Sequence, residues 1–145
     1  GATVKLDFLA PSIPEKTRRM KSESIRAWAE STMRDRLGTG LPREAVNWWI
    51  DHMGQAPQDS VLGVYRMLPD VDITGDLPNI SAPTLVMTST NSGYYGSTAA
   101  FGDWQKNIPD SELVLVPGDS YHISASYPDA CAGKAAGFLA RHAHP

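Results

Sequence analysis

Apolar residues alternate with polar residues over the first ten positions and then recur at helical spacing. Val4, Leu6 and Phe8 share one face, which predicts a short strand over residues 1–10, ended by Pro11 and Pro14. From residue 15 to about 69 the spacing predicts three short amphipathic helices, bounded by glycine and proline. The apolar positions of these helices are Ile25, Trp28, Ala29 and Met33, then Val46, Trp49, Ile50 and Met53, then Val61, Val64, Tyr65 and Leu68.

Residues 70–145 return to an α/β pattern. Two continuous apolar runs predict buried strands at Thr84 to Met87 and Glu112 to Val116, with a helix around Thr98 to Lys106 between them. This order implies a parallel pair joined by a right-handed crossover. A last helix from Pro128 to Arg141 is expected to bury one face, formed by Cys131, Ala135, Phe138 and Leu139.

Composition indicates a soluble globular protein. The 145 residues suffice for one domain, and the single cysteine, Cys131, excludes an internal disulfide and a cysteine-built zinc site. No apolar run reaches the ~18 residues of a membrane span. The first residues do not have the pattern of a signal peptide, and an upstream precursor region could have carried one, so the compartment stays open with the cytoplasm favoured. Without a metal-ligand cluster or a dinucleotide glycine motif, we expect no metal and no cofactor.

Positive charge is concentrated at the amino-terminal side. Nine of the 13 Lys and Arg residues lie in the first 43 positions. Their charges alternate with acidic residues as on a solvated helix face, and no aromatic residues are interleaved for base stacking. We therefore expect no nucleic-acid partner.

Three linked segments carry a resemblance to a known family. Residues 77–86 lead into the first buried strand, residues 108–116 lead into and form the second, and Pro117-Gly118-Asp119-Ser120-Tyr121-His122 follows it. Over residues 76–142 their order is similar to the C-terminal half of an α/β-hydrolase-fold protein. The resemblance implies an α/β fold of about three parallel strands with a helical cap. Residues 1–10 and 70–145 would form the hydrolase core, and residues 11–69 the cap.

This resemblance implies a nucleophile-His-acid triad with His122 as the general base. His142 and His144 lie at the C-terminus, and His52 lies in a cap helix, where a solvent or pocket position is expected. The implied enzyme is a hydrolase of ester or related bonds. The alternative is a catalytically inactive hydrolase-fold protein that binds a small apolar ligand.

The usual position of the triad acid, just after the first buried strand, holds Ser89-Thr90-Asn91-Ser92 and no carboxylate. Asn91 or Ser92 could orient the imidazole but could not stabilise an imidazolium as a carboxylate does. Some members of the family carry the acid after the preceding strand instead, which here would be Thr3 to Phe8. Asp7 is therefore the candidate acid, with Asp119 and Asp103 as weaker candidates.

No Gly-x-Ser-x-Gly turn occurs in the sequence, so the nucleophile is expected ahead of Gly1, on an N-terminal half. Two explanations remain open: a second polypeptide from a cleaved precursor or a split gene, or truncation of a longer chain. The first is favoured, because an incomplete parallel sheet would expose a bare edge and much apolar surface.

The aromatic content of the cap suggests a small apolar or aromatic substrate. The candidate contacts are Trp28, Trp48 and Trp49 in the cap and Tyr94 and Tyr95 in the loop after the first buried strand. For any single cap residue the alternative is packing on the core beneath it.

Overall fold

The computed structural model describes residues 7–92 and 98–142, with side chains for residues 9–92 and 101–142. These residues form two compact units. The sheet unit combines Asp35–Gly40 with residues 75–142, and the helical unit combines residues 7–34 with Leu41–Thr74. In the described part of the chain, no helix is both long enough and apolar enough to cross a membrane.

The sheet unit contains two parallel strands, β1 (Thr84–Ser89) and β2 (Ser111–Val116). Their register pairs Thr84 with Ser111 and Ser89 with Val116, so both strands end at the same level. The helices of this unit are α5 (Thr98–Gln105), α6 (Ile123–Ser126) and α7 (Pro128–His142), and a 3-10 helix spans Thr74–Asn79. The predicted parallel pair, with a helix between its strands, is confirmed.

The core of the sheet unit is small. Its buried apolar side chains among the described residues are Leu37, Leu77, Val86, Phe101, Ile108, Val116, Cys131 and Phe138. The prediction that Leu139 joins the buried face of α7 is wrong, because this side chain is 64% exposed. Cys131 and Phe138 lie seven residues apart on one stripe, and Leu139 is rotated ~100° away from it.

The sheet is incompletely covered. Leu85, Met87, Leu113 and Val114 are only partly buried, and Leu115 is 43% exposed. Parallel strands are normally buried on both faces. The described part of this sheet therefore retains apolar surface that a complete α/β protein covers.

The helical unit contains four α-helices where three were predicted. They are α1 (Ile13–Glu23), α2 (Ile25–Leu37, whose last three residues belong to the sheet unit), α3 (Arg43–Gly54) and α4 (Gln58–Met67). Ser24 separates the first two, with a φ of 123°. Its Oγ accepts a hydrogen bond from the Ala27 amide at 3.2 Å and so caps α2.

An apolar cluster holds the helical unit together. Met20, Ile25, Trp28, Leu62 and Tyr65 are buried against one another. The Gln58 side-chain amide also donates to the Met20 carbonyl oxygen at 2.7 Å, which joins α4 to α1. Most of the predicted apolar stripe residues thus pack inside the unit, as the helical spacing indicates.

The amino-terminal strand prediction is wrong where it can be compared with the structure. Asp7–Ser12 forms a 3-10 helix, whereas Val4 and Leu6 lie outside the described residues. Pro11 fixes its own φ, and the Ser12 hydroxyl donates to the Leu9 carbonyl oxygen at 2.9 Å, which favours a tight helical turn over an extended strand. The described residues contain two strands, against the three or so expected.

Candidate active site

The loops after the two strands are joined at the carboxyl end of the sheet. The Thr90 amide donates to the Val116 carbonyl oxygen at 3.0 Å, and the Asn91 amide donates to the Gly118 carbonyl oxygen at 2.9 Å. The Thr90 hydroxyl lies 3.2 Å from both the amide nitrogen and the carbonyl oxygen of Gly118. These bonds bring the usual acid position next to the loop that carries His122. Ligand sites of α/β sheets lie at this end.

His122 ends a loop that we call the histidine turn, residues 117–122, and begins α6. The amides of Tyr121 and His122 both donate to the Arg36 carbonyl oxygen, at 2.8 and 3.1 Å. The His122 carbonyl oxygen accepts from the amides of Ala125 and Ser126, at 3.0 and 3.2 Å. The backbone of His122 is therefore held on both sides.

Two buried hydroxyls support the same turn. The Ser126 Oγ lies 2.8 Å from both the Leu37 carbonyl oxygen and the Ser120 Oγ. The Ser120 hydroxyl in turn donates to the Arg36 carbonyl oxygen at 3.2 Å. These bonds use carbonyl oxygens at the end of α2, which a helix terminus leaves without intrahelical partners.

The Asp119 carboxylate makes a further set of contacts, which we call the Asp119 clamp, with Thr39 and Tyr127. It accepts the Thr39 amide at 3.1 and 3.0 Å, the Thr39 hydroxyl at 2.9 Å and the Tyr127 hydroxyl at 3.0 Å. The Thr39 amide is the main cause of a pKa of Asp119 below its usual value, and the two hydroxyls act in the same direction.

Two glycines make room for this clamp. Gly38 has a φ of 67° and Gly118 a φ of 146°, where side chains are strained. A Cβ atom at Gly38 would collide with the Asp119 carboxylate, and one at Gly118 would collide with the Tyr127 ring. The sequence signalled Gly38 only as the end of a helix. Thr39, Tyr127 and the Arg36 carbonyl were missed because they meet the histidine turn, at Asp119 or at His122, only in the folded protein.

Burial sets the charge state of His122. The loss of water around the half-buried imidazole lowers its pKa from 6.5 to about 4, and the positive charge of Arg36 acts in the same direction. The ring lies edge-on to Tyr121, with 5.0 Å between ring centres. No residue in the described ranges hydrogen-bonds to the imidazole. A neutral imidazole can accept a proton, as a general base must.

The candidate acids occupy different environments. Asp7 begins the 3-10 helix, and its side chain lies outside the described part. Asp103 is exposed and pairs with Lys106 at 3.2 Å, while the Asp119 carboxylate is held in its clamp. Asn91 is exposed, and the buried Ser92 hydroxyl has no hydrogen-bond partner among the described residues.

The predicted substrate contacts also differ in exposure. Trp28 is 2% exposed and packs edge-on against Tyr65, 5.5 Å away, which favours core packing for this residue. Trp48 is 57% exposed and stacks on His52 at 5.0 Å, with the partly buried Trp49 edge-on to it. Tyr94, Tyr95 and His144 lie outside the described residues.

The last described histidine lies at the C-terminal end of α7, away from the histidine turn in sequence. His142 ends α7, with its ring 4.5 Å from that of Phe138. Within residues 9–92 and 101–142, no three His, Cys, Asp or Glu side chains lie close enough together to hold a metal ion.

Several solved structures are similar in fold to this chain. A thermophilic esterase from Thermogutta terrifontis is similar to 97% of this chain, with a TM-score of 0.84 at 18% identity. An enol-lactonase from Burkholderia xenovorans is similar to 88% of the chain (TM-score 0.78, 15% identity), and a bromoperoxidase from Bacillus anthracis to 90% (TM-score 0.78, 16% identity). No family model and no curated sequence matches the chain.

These likenesses define the fold. The chain covers 54%, 49% and 49% of the three solved structures, so it spans about half their length. It has the fold of the C-terminal half of an α/β hydrolase, as the resemblance implied.

Proposed function

We propose that this chain is part of an α/β-fold hydrolase that cleaves ester or related bonds by acyl transfer, with His122 as the general base. The observation that carries the proposal is the histidine at the end of the turn that follows β2, with its backbone fixed on both sides and its imidazole neutral at neutral pH. A serine-type nucleophile is too weakly acidic to attack unaided, so it needs such a base. The esterase and enol-lactonase among the similar structures support this reaction class.

The proposed acid of the triad is Asp7. Asp119, the carboxylate of the histidine turn, is engaged, since it accepts bonds from Thr39 and Tyr127. A carboxylate on the far side of the imidazole would stabilise the imidazolium that forms as the nucleophile attacks. Asp7→Asn in the assembled enzyme should lower turnover by about four orders of magnitude. An unchanged rate would remove Asp7 from the mechanism.

The nucleophile is proposed to lie on an N-terminal half, a separate polypeptide without which this chain is inactive. Support comes from the half-length coverage of the similar structures and from the apolar surface left on the sheet, including Leu115. Denaturing electrophoresis of an active native preparation tests this proposal. A second band beside that of 15.7 kDa is expected, and a single band at this mass would overturn the two-chain arrangement.

The substrate is proposed to be small and apolar or aromatic. The exposed indole of Trp48, beside Trp49, offers aromatic surface in the helical unit, and Tyr94 and Tyr95 are proposed to contribute from the loop after β1. Trp48→Ala should raise KM for an aromatic ester more than for acetate esters of small alcohols. Equal effects on both substrates would exclude a role in recognition.

The reaction class can be tested with a panel of nitrophenyl esters and a serine-directed phosphonate. The assembled protein should turn over at least one ester and become covalently labelled, and His122→Ala should abolish both. Retained turnover in the His122→Ala variant would contradict the proposed base.

A second candidate function is ligand binding without catalysis. It is favoured by one observation: the usual acid position holds the neutral residues Asn91 and Ser92. Saturable binding of an apolar ligand, without turnover or phosphonate labelling, would establish this function instead.

A further inference from the structure

We propose that Asp119 is a positioning residue for His122: its carboxylate, held by Thr39 and Tyr127, fixes the histidine turn in the geometry that the reaction needs. This inference rests on the proposed function. The proposed function assigns the triad acid to Asp7, whereas here Asp119 is assigned the separate role of holding the turn.

The hydrogen bonds of the Asp119 carboxylate support a positioning role. Both oxygens accept hydrogen bonds from Thr39, and one also accepts from the Tyr127 hydroxyl. A triad acid must instead accept the imidazole N–H of its histidine. With these donors in place, the carboxylate ties together residues on both sides of His122 in the chain.

The positions of Thr39 and Tyr127 in the fold also support this role. Thr39 follows the end of α2, whose Arg36 carbonyl oxygen accepts the amides of Tyr121 and His122. Tyr127 follows α6, the helix that His122 begins. The histidine turn is therefore held at three points. Asp119 is bonded to Thr39, His122 is bonded to the Arg36 carbonyl oxygen, and Tyr127, beyond His122 in the chain, is bonded back to Asp119.

Two glycines leave room for these contacts. Gly38 and Gly118 both have positive φ and lie against the clamp, where a Cβ atom would strike Asp119 or Tyr127. Two glycines in conformations that other residues rarely adopt show that the backbone is built around the carboxylate and the phenol. This arrangement fixes His122 more firmly than the Arg36 bonds alone.

The test compares Asp119→Asn, Thr39→Val and Tyr127→Phe in the assembled hydrolase, with Asp110→Asn as the matched control. Asp110 is exposed and precedes β2, at the opposite end of the strand from His122. Asp119→Asn should lower kcat about 10- to 100-fold, since a misplaced catalytic group costs this much, with KM nearly unchanged.

Tyr127→Phe and Thr39→Val should show smaller losses of kcat, and Thr39→Ser, which keeps the hydroxyl, should restore the rate. The double variant D119N/Y127F should be no slower than D119N, because both changes disrupt one network.

A readout other than activity separates positioning from simple stability. In the assembled protein, the NMR titration of His122, assigned with His122→Gln, should show a pKa well below 6.5. Asp119→Asn should move this pKa toward 6.5, because a released turn exposes the imidazole to water. If Asp119→Asn does not fold, Tyr127→Phe removes only one hydroxyl and carries the same measurements.

Three outcomes would overturn the proposal. Kinetics and titration of Asp119→Asn equal to those of Asp110→Asn would show that the clamp does not position His122. A loss of about 10⁴-fold in Asp119→Asn, with a normal rate in Tyr127→Phe, would make Asp119 the triad acid. A lower melting temperature with normal kcat and an unmoved His122 pKa would leave only a structural role. If the parent protein has no turnover, the proposed function fails and the titration alone decides the clamp.

Discussion

Partial burial of the His122 imidazole disfavours its charged form, and its pKa falls from 6.5 to about 4. The unfolded chain therefore binds more protons than the folded chain between these two pH values. In this window the free energy of unfolding rises with pH. The contribution of His122 is fully present above pH 6.5 and is lost as the pH falls toward 4.

Replacing His122 by Gln should flatten the pH dependence of stability between pH 4 and 6.5, because Gln does not titrate. Urea unfolding at several pH values measures this dependence, with His142→Gln as the matched control at the end of α7. Equal slopes in the His122→Gln variant and the parent chain would contradict the burial of a neutral imidazole.

The tryptophans of the helical unit have separate roles at the residue scale. Trp28 is 2% exposed inside the apolar cluster, whereas Trp48 is 57% exposed on α3. Trp28→Ala should lower the free energy of unfolding by about 3–5 kcal/mol through the cavity it leaves, and Trp48→Ala should change it by less than about 0.5 kcal/mol. Denaturant midpoints of the two variants give the comparison, and similar losses in both would be inconsistent with these positions.

At the scale of elements, the sequence predicts periodic segments well and their junctions less well. The limits of β1, β2, α5 and α7 lie within two residues of the predicted ones, since long apolar patterns decide them. The break at Ser24 and the 3-10 helix Asp7–Ser12 were missed, because a single cap or proline decides them locally.

The histidine turn depends on the conformation of Gly118. Gly118→Ala should destabilise the chain by more than about 1 kcal/mol, since a Cβ at φ 146° meets the Tyr127 ring. Gly133→Ala in α7, where a Cβ meets nothing within 4 Å, should stabilise it by about 0.5–1 kcal/mol. Thermal unfolding of both variants measures the difference. A neutral Gly118→Ala would show that the turn adapts without strain.

At the scale of the whole molecule, the exposed apolar surface of the sheet unit predicts association. Leu115 and Leu139 are 43% and 64% exposed, and further sheet residues are only partly covered. The isolated chain should self-associate in sedimentation experiments, and Leu115→Thr should reduce this association by removing apolar area. Addition of the N-terminal half should replace it with a one-to-one complex. A strictly monomeric isolated chain would count against an incomplete sheet.

The sequence by itself determined the parallel strand pair, most of the helices and the candidate base, because apolar periodicity and the segment that ends at His122 are local signals. Only the tertiary structure decided what holds that base. The contacts of residues 36–39 with Asp119, Ser120 and Ser126 join positions about 80 or more apart in the chain. No local pattern encodes such pairs, since each depends on where the fold places two separate turns. The same reason explains why Asp119 resembled a spare acid in the sequence but in the structure belongs to the turn.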